Sequence, residues 1–248
     1  MRGRPHPDWI VPDWPAERRV RALITTRHGG VSSGKFASLN LSMRVGDDPR
    51  CVARNRAILR ACLPAEPAWV KQAHGTSVID ATRATPDAEA DGVVTQSPGE
   101  VCAVMTADCL PVLLSDRAGK SVGIAHAGWR GLAGGIVENV VQAMGVPSRD
   151  IIAYIGPGIG ARRYEVGEDV RRAFVGRDPA AAKSFAPRQD GKYLADLYGL
   201  ARQRLAAAGV AGIHGGGFCT ASEERFFSFR RDRTTGRMAS LIWLEEGE

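Results

Sequence analysis

The chain has 248 residues, of which 44% are hydrophobic and 24% are charged, as is typical of a globular protein with a sizeable core. Its net charge of +6 comes mostly from scattered arginines rather than from a basic run, which argues against a nucleic-acid-binding surface. No stretch approaches the ~20 apolar residues of a membrane span, and the first 20 residues contain no apolar segment typical of a secretory signal. The five cysteines form no Cys-x-x-Cys pair, so we expect reduced thiols in a cytoplasmic protein.

We expect an irregular arm at residues 1–20, followed by a single domain over residues 21–248. The elements of the first half of the chain are as follows. A strand is predicted at 21–27, followed by a Gly/Ser-rich loop at 28–40 whose length favours a functional role. Asp48 and Pro49 are typical of a helix start, and a helix is predicted over 47–63. Continuous apolar runs, typical of strands covered on both faces, then predict strands at 69–80, 91–96, 101–108, 109–116 and 121–128.

The second half alternates less regularly between helices and strands. The spacing of apolar residues from Leu132 to Met144 predicts a helix, and further helices are predicted at 167–176 and 194–209. Strands are predicted at 151–160, 212–220, 225–232 and 238–246. Because strands and helices do not alternate strictly, we expect an α/β fold of the α+β type, a single domain with mixed sheets between covering helices.

Two histidines and one cysteine stand at the ends of predicted strands. His74 precedes Gly75, His126 ends an apolar run, and Cys109 lies at the junction of two strands. If these strand ends meet, one thiolate and two imidazoles form a three-ligand zinc site that leaves the fourth position open for water or substrate, as in catalytic zinc sites. The alternatives are a metal-free Cys–His nucleophilic pair and three separate packed residues.

The residues beside these three also suggest a binding site. Arg130 stands at the start of the helix predicted after His126, where free backbone N–H groups attract anions, although a surface salt bridge would also explain an arginine here. Asp108 is expected either to orient a ligand imidazole from behind or to cap a turn.

The sequence also resembles a known family. The motifs TTRHGGVSSGKFASLNL, QAHGTSV, TADCLPVLL, AHAGWRGL, IGPGIG, YEVG, RFFSFRRD and TGRMASLIWL occur, over about residues 21–245, in the order found in the YfiH-like family. This family is also called laccase-domain, polyphenol oxidase-like or peptidoglycan editing factor. The resemblance implies one α/β domain with sheets sandwiched between helices, and a catalytic metal site made of His74, Cys109 and His126.

The activity that this resemblance implies is a zinc-dependent purine nucleoside phosphorylase. Its nucleosides would be adenosine, inosine, guanosine and methylthioadenosine, with adenosine deaminase as an accessory activity. Asn40, Arg44 and Arg130 are expected to contact the substrate. We expect a monomer that binds small molecules and neither nucleic acid nor membrane.

Three alternative activities stay open. One is an amidase that removes a wrong amino acid from a UDP-MurNAc precursor of peptidoglycan, and another is a non-catalytic protein with a structural metal. The third is weak polyphenol oxidation with Cu²⁺ in the same site, because His₂Cys is also a copper ligand set. A full multicopper mechanism needs more imidazoles than the chain's five histidines supply.

Overall fold

A computed structural model describes residues 3–210 and 212–246. Its strands are β1 (Val20–Ile24), β2 (Pro67–Ala68), β3 (Val78–Asp80), β4 (Gly92–Thr95), β5 (Val101–Thr106), β6 (Leu110–Asp116), β7 (Val122–Ala127), β8 (Ile151–Ile155), β9 (Glu165–Val166), β10 (Phe185–Pro187), β11 (Tyr193–Ala195), β12 (Gly212–Gly215) and β13 (Met238–Leu244). Its helices are α1 (Pro49–Arg60), α2 (Trp129–Gly134), α3 (Ile136–Ala143), α4 (Glu168–Val175), α5 (Leu197–Ala207) and α6 (Phe229–Asp232).

The strands form three mixed or antiparallel sheets. A four-stranded sheet has the order β1-β13-β5-β2, and a six-stranded sheet has the order β12-β8-β6-β7-β4-β3. A small three-stranded sheet, β10-β11-β9, has no counterpart in the sequence prediction because its strands are only two or three residues long. Strands β6 and β7 are antiparallel neighbours at the centre of the six-stranded sheet.

The two large sheets lie face to face, and helices cover their outer faces. Along β13, Leu241 packs towards α1, whereas the next residue, Ile242, packs between the two sheets, as the two-residue period of a strand requires. Along β6, Leu113 packs between the sheets and Leu114 packs towards α3 and α5. Both faces of these strands are therefore buried, which explains their continuous apolar sequences. The prediction of sheets sandwiched between helices is confirmed.

Several boundaries differ from the prediction, each for a physical reason. The strand predicted at 69–80 is reduced to β3 because residues 73–75 turn to donate their backbone N–H groups to Asp91. The predicted helix after His126 is divided into α2 and α3 at Gly135, whose φ of 109° only glycine adopts readily. The strand predicted at 225–232 is wrong: Ser228 caps the short helix α6 by accepting a hydrogen bond from the N–H of Arg231.

The arm at the N-terminus packs on the domain through its aromatic residues. The Trp9 side chain is buried beside α1, and its Nε1–H donates to the carbonyl of His28 at 3.0 Å. Ile10 forms a β-bridge with Ile24 of β1. Among the described residues, none of the helices combines the length and apolar character needed to cross a bilayer.

Candidate functional site

His74, Cys109 and His126 meet at one edge of the six-stranded sheet. Cys109 directly precedes β6, and His126 pairs with Pro111 across the β6–β7 ladder, so the sheet register places the two residues at the same edge. His74 approaches from the loop between β2 and β3, with a φ of 60°, and the centroids of the two imidazole rings are 4.7 Å apart. The ligand atoms of the three side chains all lie within 4.8 Å of one another.

Asp91 holds both histidines in place. Its carboxylate accepts hydrogen bonds from His126 Nδ1 at 2.7 Å and from the backbone N–H groups of Ala73, His74 and Gly75 at 3.1, 3.0 and 2.7 Å. Because an ionised carboxylate only accepts, His126 must donate from Nδ1, so Nε2 is the ring nitrogen that would bind a metal after losing its proton. Asp91 was not among the predicted site residues, although it directly precedes β4, just as Cys109 directly precedes β6.

The charges of Asp91, Cys109 and His126 stabilise one another. Burial would raise the pKa of the Cys109 thiol, but the charge of His126 and hydrogen bonds from both histidines outweigh it and lower that pKa to about 6. Burial opposes the charged form of His126, yet Cys109 and Asp91 raise its pKa to about 9. The pKa of Asp91 is lowered despite its burial, because His126 and the N–H of Gly75 stabilise the carboxylate. The arrangement favours the thiolate form of Cys109, which is the form that binds metals.

The space around the sulfur fits a metal site. A Cβ added to Gly128 would lie 2.9 Å from Cys109 Sγ and 3.0 Å from His74 Cδ2, so only glycine lets these ligands approach each other. In the part of the chain that the structure describes, this is the only cluster of three or more His, Cys, Asp or Glu side chains able to hold a metal ion. It offers two nitrogens and one sulfur and no fourth protein ligand. Such a set suits zinc or copper with one position left open.

The three side chains line a cavity of about 550 Å³ whose wall is rich in arginine. This volume lies within the ~300–1,000 Å³ of typical small-molecule sites. Five arginines line it: Arg44, Arg56, Arg130, Arg230 and Arg237. Of these five, only Arg44 has a guanidinium paired with a carboxylate of the described residues, that of the exposed Asp87 at 3.6 Å. The cavity therefore favours an anionic ligand.

Aromatic rings hold several of these arginines. The Arg130 guanidinium lies 4.5 Å from the ring centroid of Trp129, and that of Arg230 lies 5.2 Å from the ring centroid of Tyr164. Each stack keeps a cation at the wall. The side-chain N–H donors of Arg130 have no partner among the described residues, whereas Arg230 uses Nη1 on the carbonyl of Glu165. At the mouth of the cavity, Met43 and Phe229 are 51% and 49% exposed, unusually high values for large apolar side chains.

The predicted substrate-binding residues do not all reach the cavity. Arg44 and Arg130 line it. Asn40 does not: it is fully buried, and its amide donates to the carbonyl of Ser42 and to Asp47 while accepting from the N–H groups of Ser42 and Arg237. Asn40 therefore supports the backbone of Arg237 instead of facing a ligand.

Of the two roles predicted for Asp108, the first is wrong and the second, capping a turn, fits the structure, because Asp108 accepts from an N–H in the first turn of α6. The carboxylate behind His126 is that of Asp91, not Asp108. The two oxygens of Asp108 accept hydrogen bonds from the Thr220 hydroxyl and from the N–H of Arg230, both at 2.6 Å. Asp108 has a φ of 88°, and it ties the strand end that carries Cys109 to α6.

Several cavity residues were not predicted individually, although all but Arg56 lie within the family motifs YEVG, RFFSFRRD and TGRMASLIWL. Arg56, Tyr164, Phe229, Arg230 and Arg237 come from α1, from the turn before β9, from α6 and from the loop before β13. They meet only because the fold brings distant segments together. The alternation of apolar residues cannot reveal such a set.

Comparison with known proteins gives a consistent result. Residues 21–245 match the family described as "Multi-copper polyphenol oxidoreductase laccase". A Pseudomonas aeruginosa protein named purine nucleoside phosphorylase is 50% identical over 96% of this chain and 99% of its own length. The Escherichia coli protein named purine nucleoside phosphorylase YfiH is 51% identical over 95% of this chain and 98% of its own length.

Solved structures agree with the sequence relatives. A Neisseria meningitidis crystal structure superimposes with a TM-score of 0.93 at 51% identity, covering 96% of this chain and 100% of its own. YlmD from Geobacillus stearothermophilus superimposes with a TM-score of 0.89 at 34% identity, covering 99% of each chain.

Proposed function

The chain belongs to the YfiH-like family of laccase-domain proteins, and from this premise we propose that it is a metal-dependent purine nucleoside phosphorylase. The observation that carries the proposal is the His₂Cys cluster, whose ligand atoms lie within 4.8 Å of one another and open into an arginine-lined cavity. Close relatives that cover nearly the whole chain are named purine nucleoside phosphorylases.

The metal ligands in this proposal are His74, Cys109 and His126, and zinc is the metal we favour. Bound zinc would supply a Lewis acid and an open coordination position beside the substrate. Asp91 orients the two histidines, and Gly128 leaves room for the sulfur. A copper ion in the same ligands would account for weak oxidation of polyphenols.

Phosphate is the co-substrate that the arginines would bind. Arg130 is exposed, stacks on Trp129 and has no carboxylate partner in the described part of the chain, so its N–H donors are free for phosphate oxygens. A guanidinium can hold two oxygens of one phosphate at once and offset the charge of the attacking group. Arg44 lines the cavity from the loop before α1, and it would help to close the site over the nucleoside.

Adenosine deaminase fits as an accessory activity of the same cavity. In that reaction water replaces phosphate as the nucleophile, and the purine is attacked on its ring rather than cleaved from the sugar. Both reactions need a nucleoside held beside the same three side chains. We include adenosine, inosine, guanosine and methylthioadenosine among the substrates.

A second candidate function is supported by the number of arginines. Five guanidinium groups in a cavity of about 550 Å³ exceed what one phosphate ion requires. A nucleotide-linked muramyl amino acid carries a diphosphate that would use more of them, and amide hydrolysis would need the same cluster. Release of a free amino acid from such a precursor, without release of a purine from nucleosides, would favour this candidate.

The decisive assay measures phosphorolysis directly. We expect purified, metal-analysed protein to convert inosine and phosphate into hypoxanthine and ribose 1-phosphate. Cys109→Ala removes the sulfur ligand and should reduce the rate to background. Cys51→Ala, on α1 and away from the cavity, is the matched control and should keep full activity.

The proposal is wrong if the wild-type protein forms no ribose 1-phosphate. It is equally wrong if Cys109→Ala retains the wild-type rate with the same metal content.

A further inference from the structure

Tyr164 is one of the residues that line the cavity. Its hydroxyl has no hydrogen-bond partner within residues 3–210 and 212–246. Tyr198 behaves differently, because its hydroxyl accepts from the N–H of Gly158 at 2.8 Å and so supports the backbone. The phenol of Tyr164 is therefore left for a ligand.

The position of Tyr164 is fixed from two sides. Its carbonyl accepts from the N–H of Ala195 at 2.9 Å, and part of its ring packs against the core beneath α4 and α5. On the other face lies the Arg230 guanidinium, whose Nη1 donates to the carbonyl of Glu165 at 2.8 Å. This clamp holds the ring without using the hydroxyl.

The clamp also links Tyr164 to the metal-binding cluster. The N–H of Arg230 donates to Asp108, the residue directly before Cys109. Strand β6, α6 and the turn before β9 thus form one hydrogen-bonded unit beside the cavity. A group held in this way can act as a preorganised donor, which needs no rearrangement when charge develops near it.

The surroundings keep the phenol protonated. Burial, together with the negative charge of Cys109, raises the pKa of Tyr164 far above its usual value. The hydroxyl is therefore a neutral donor throughout the physiological pH range.

We propose that Tyr164 is a catalytic residue of the phosphorolysis, whose hydroxyl donates a hydrogen bond to the purine as it leaves. This inference rests on the proposed function. A phosphate oxygen forms a bond to C1′ of the ribose while the C1′–N9 bond breaks, and the electron pair of that bond passes to the purine ring. The hydrogen bond from Tyr164 strengthens as the purine ring becomes negative. Tyr164 keeps its proton, and the released base takes a proton from water.

Tyr164→Phe tests this role, because it removes only the hydroxyl and keeps the ring under Arg230. The two substrates to compare are inosine and 7-methylguanosine, whose base already carries a positive charge and leaves without a net negative charge. Loss of one such donor should lower kcat/KM for inosine by about 100-fold. For 7-methylguanosine, kcat/KM should change by less than about threefold.

Tyr193→Phe is the matched control. Tyr193 also lies under an arginine, Arg171, with the guanidinium carbon 5.3 Å from its ring centroid, but it does not line the cavity. This variant should leave both substrates unchanged. Metal content and the melting temperature of Tyr164→Phe should match the wild type, since the hydroxyl supports no backbone group.

Three outcomes overturn the inference. Equal losses with both nucleosides would mean that Tyr164 does not respond to charge on the leaving base, and no loss with either would mean that it does not touch the substrate. Both results leave the proposed function intact, because the wild type is active in each. A wild type that cleaves neither nucleoside overturns the proposed function and this inference with it.

Discussion

At the scale of single residues, Asp91 organises the candidate metal site. It is 1% exposed, and its carboxylate joins the loop that carries His74 to the ring of His126. The β4–β7 register explains how, because Gly92 pairs with Ala125 and so the preceding Asp91 lies beside His126. One carboxylate thus fixes two ligands that are far apart in the chain.

Asp91→Asn should weaken metal binding. The amide retains one acceptor oxygen, but its NH₂ group would face N–H donors that now have no partner. We expect the metal affinity to fall by about 10- to 100-fold, as is usual when the partner of a ligand histidine is lost. Competition with a chromophoric chelator measures this.

Asp80→Asn is the control for that measurement. Asp80 accepts hydrogen bonds from the N–H and the hydroxyl of Thr82 at the end of β3, away from the cavity. It should bind metal like the wild type. An unchanged affinity in Asp91→Asn would show that the histidines are held without this carboxylate.

At the scale of elements, the local sequence pattern predicts the buried strands and helix α1 well. The runs that became β6 and β7 are mostly apolar because both faces of these strands are covered. Asp48 and Pro49 mark the start of α1, where the Asp48 side chain accepts from the N–H of Arg50. Cys109 and His126 could be selected as a pair because both stand at the ends of such strands.

The elements that the pattern missed depend on distant residues. The loop at 73–75 is irregular because it wraps around Asp91, and the start of α6 is bound to Asp108, 122 positions earlier in the chain. Apolar periodicity records only near neighbours along the chain, so it predicted strands in both places. The cavity wall was missed for the same reason, since Tyr164 and Arg237 lie in separate motifs and nothing in the sequence pattern shows that these motifs meet.

Asp108→Ala should destabilise the connection between β6 and α6. The change removes both acceptors for Thr220 and Arg230, and it places a residue less suited than Asp at a φ of 88°. We expect a loss of about 3 to 6 kcal/mol in the free energy of unfolding, since the two hydrogen bonds to a charged group contribute ~1.5–3 kcal/mol each. Urea denaturation measures this loss of stability, and the m-value should stay unchanged.

Asp108→Asn gives the comparison for this prediction. Asparagine also adopts positive φ and keeps one acceptor oxygen, so its loss should be smaller. Equal stability of the Ala variant and the wild type would show that α6 is held by its other contacts.

At the scale of the whole molecule, the site lies where the chain crosses between the two large sheets. Strand β5 belongs to the four-stranded sheet and β6 to the six-stranded sheet, and residues 107–109 connect them. The cores on both faces of each sheet are built from apolar side chains and include none of His74, Cys109 and His126. The fold therefore positions the three ligands before any ion binds.

Removal of the metal should leave the protein folded. A structural metal site contributes folding free energy, so its loss unfolds the domain, whereas an open site at the edge of a complete core contributes much less. After chelation we expect an unchanged far-UV circular dichroism spectrum and cooperative thermal unfolding, together with loss of phosphorolysis that returns when zinc is added. Cys109→Ala without chelation should unfold at a temperature close to that of the chelated wild type, because both lack the sulfur–metal bond and the core is complete in each. If chelation unfolds the domain while Cys109→Ala stays folded, the metal stabilises the fold, as expected of a structural metal site, and the catalytic assignment of the cluster is wrong.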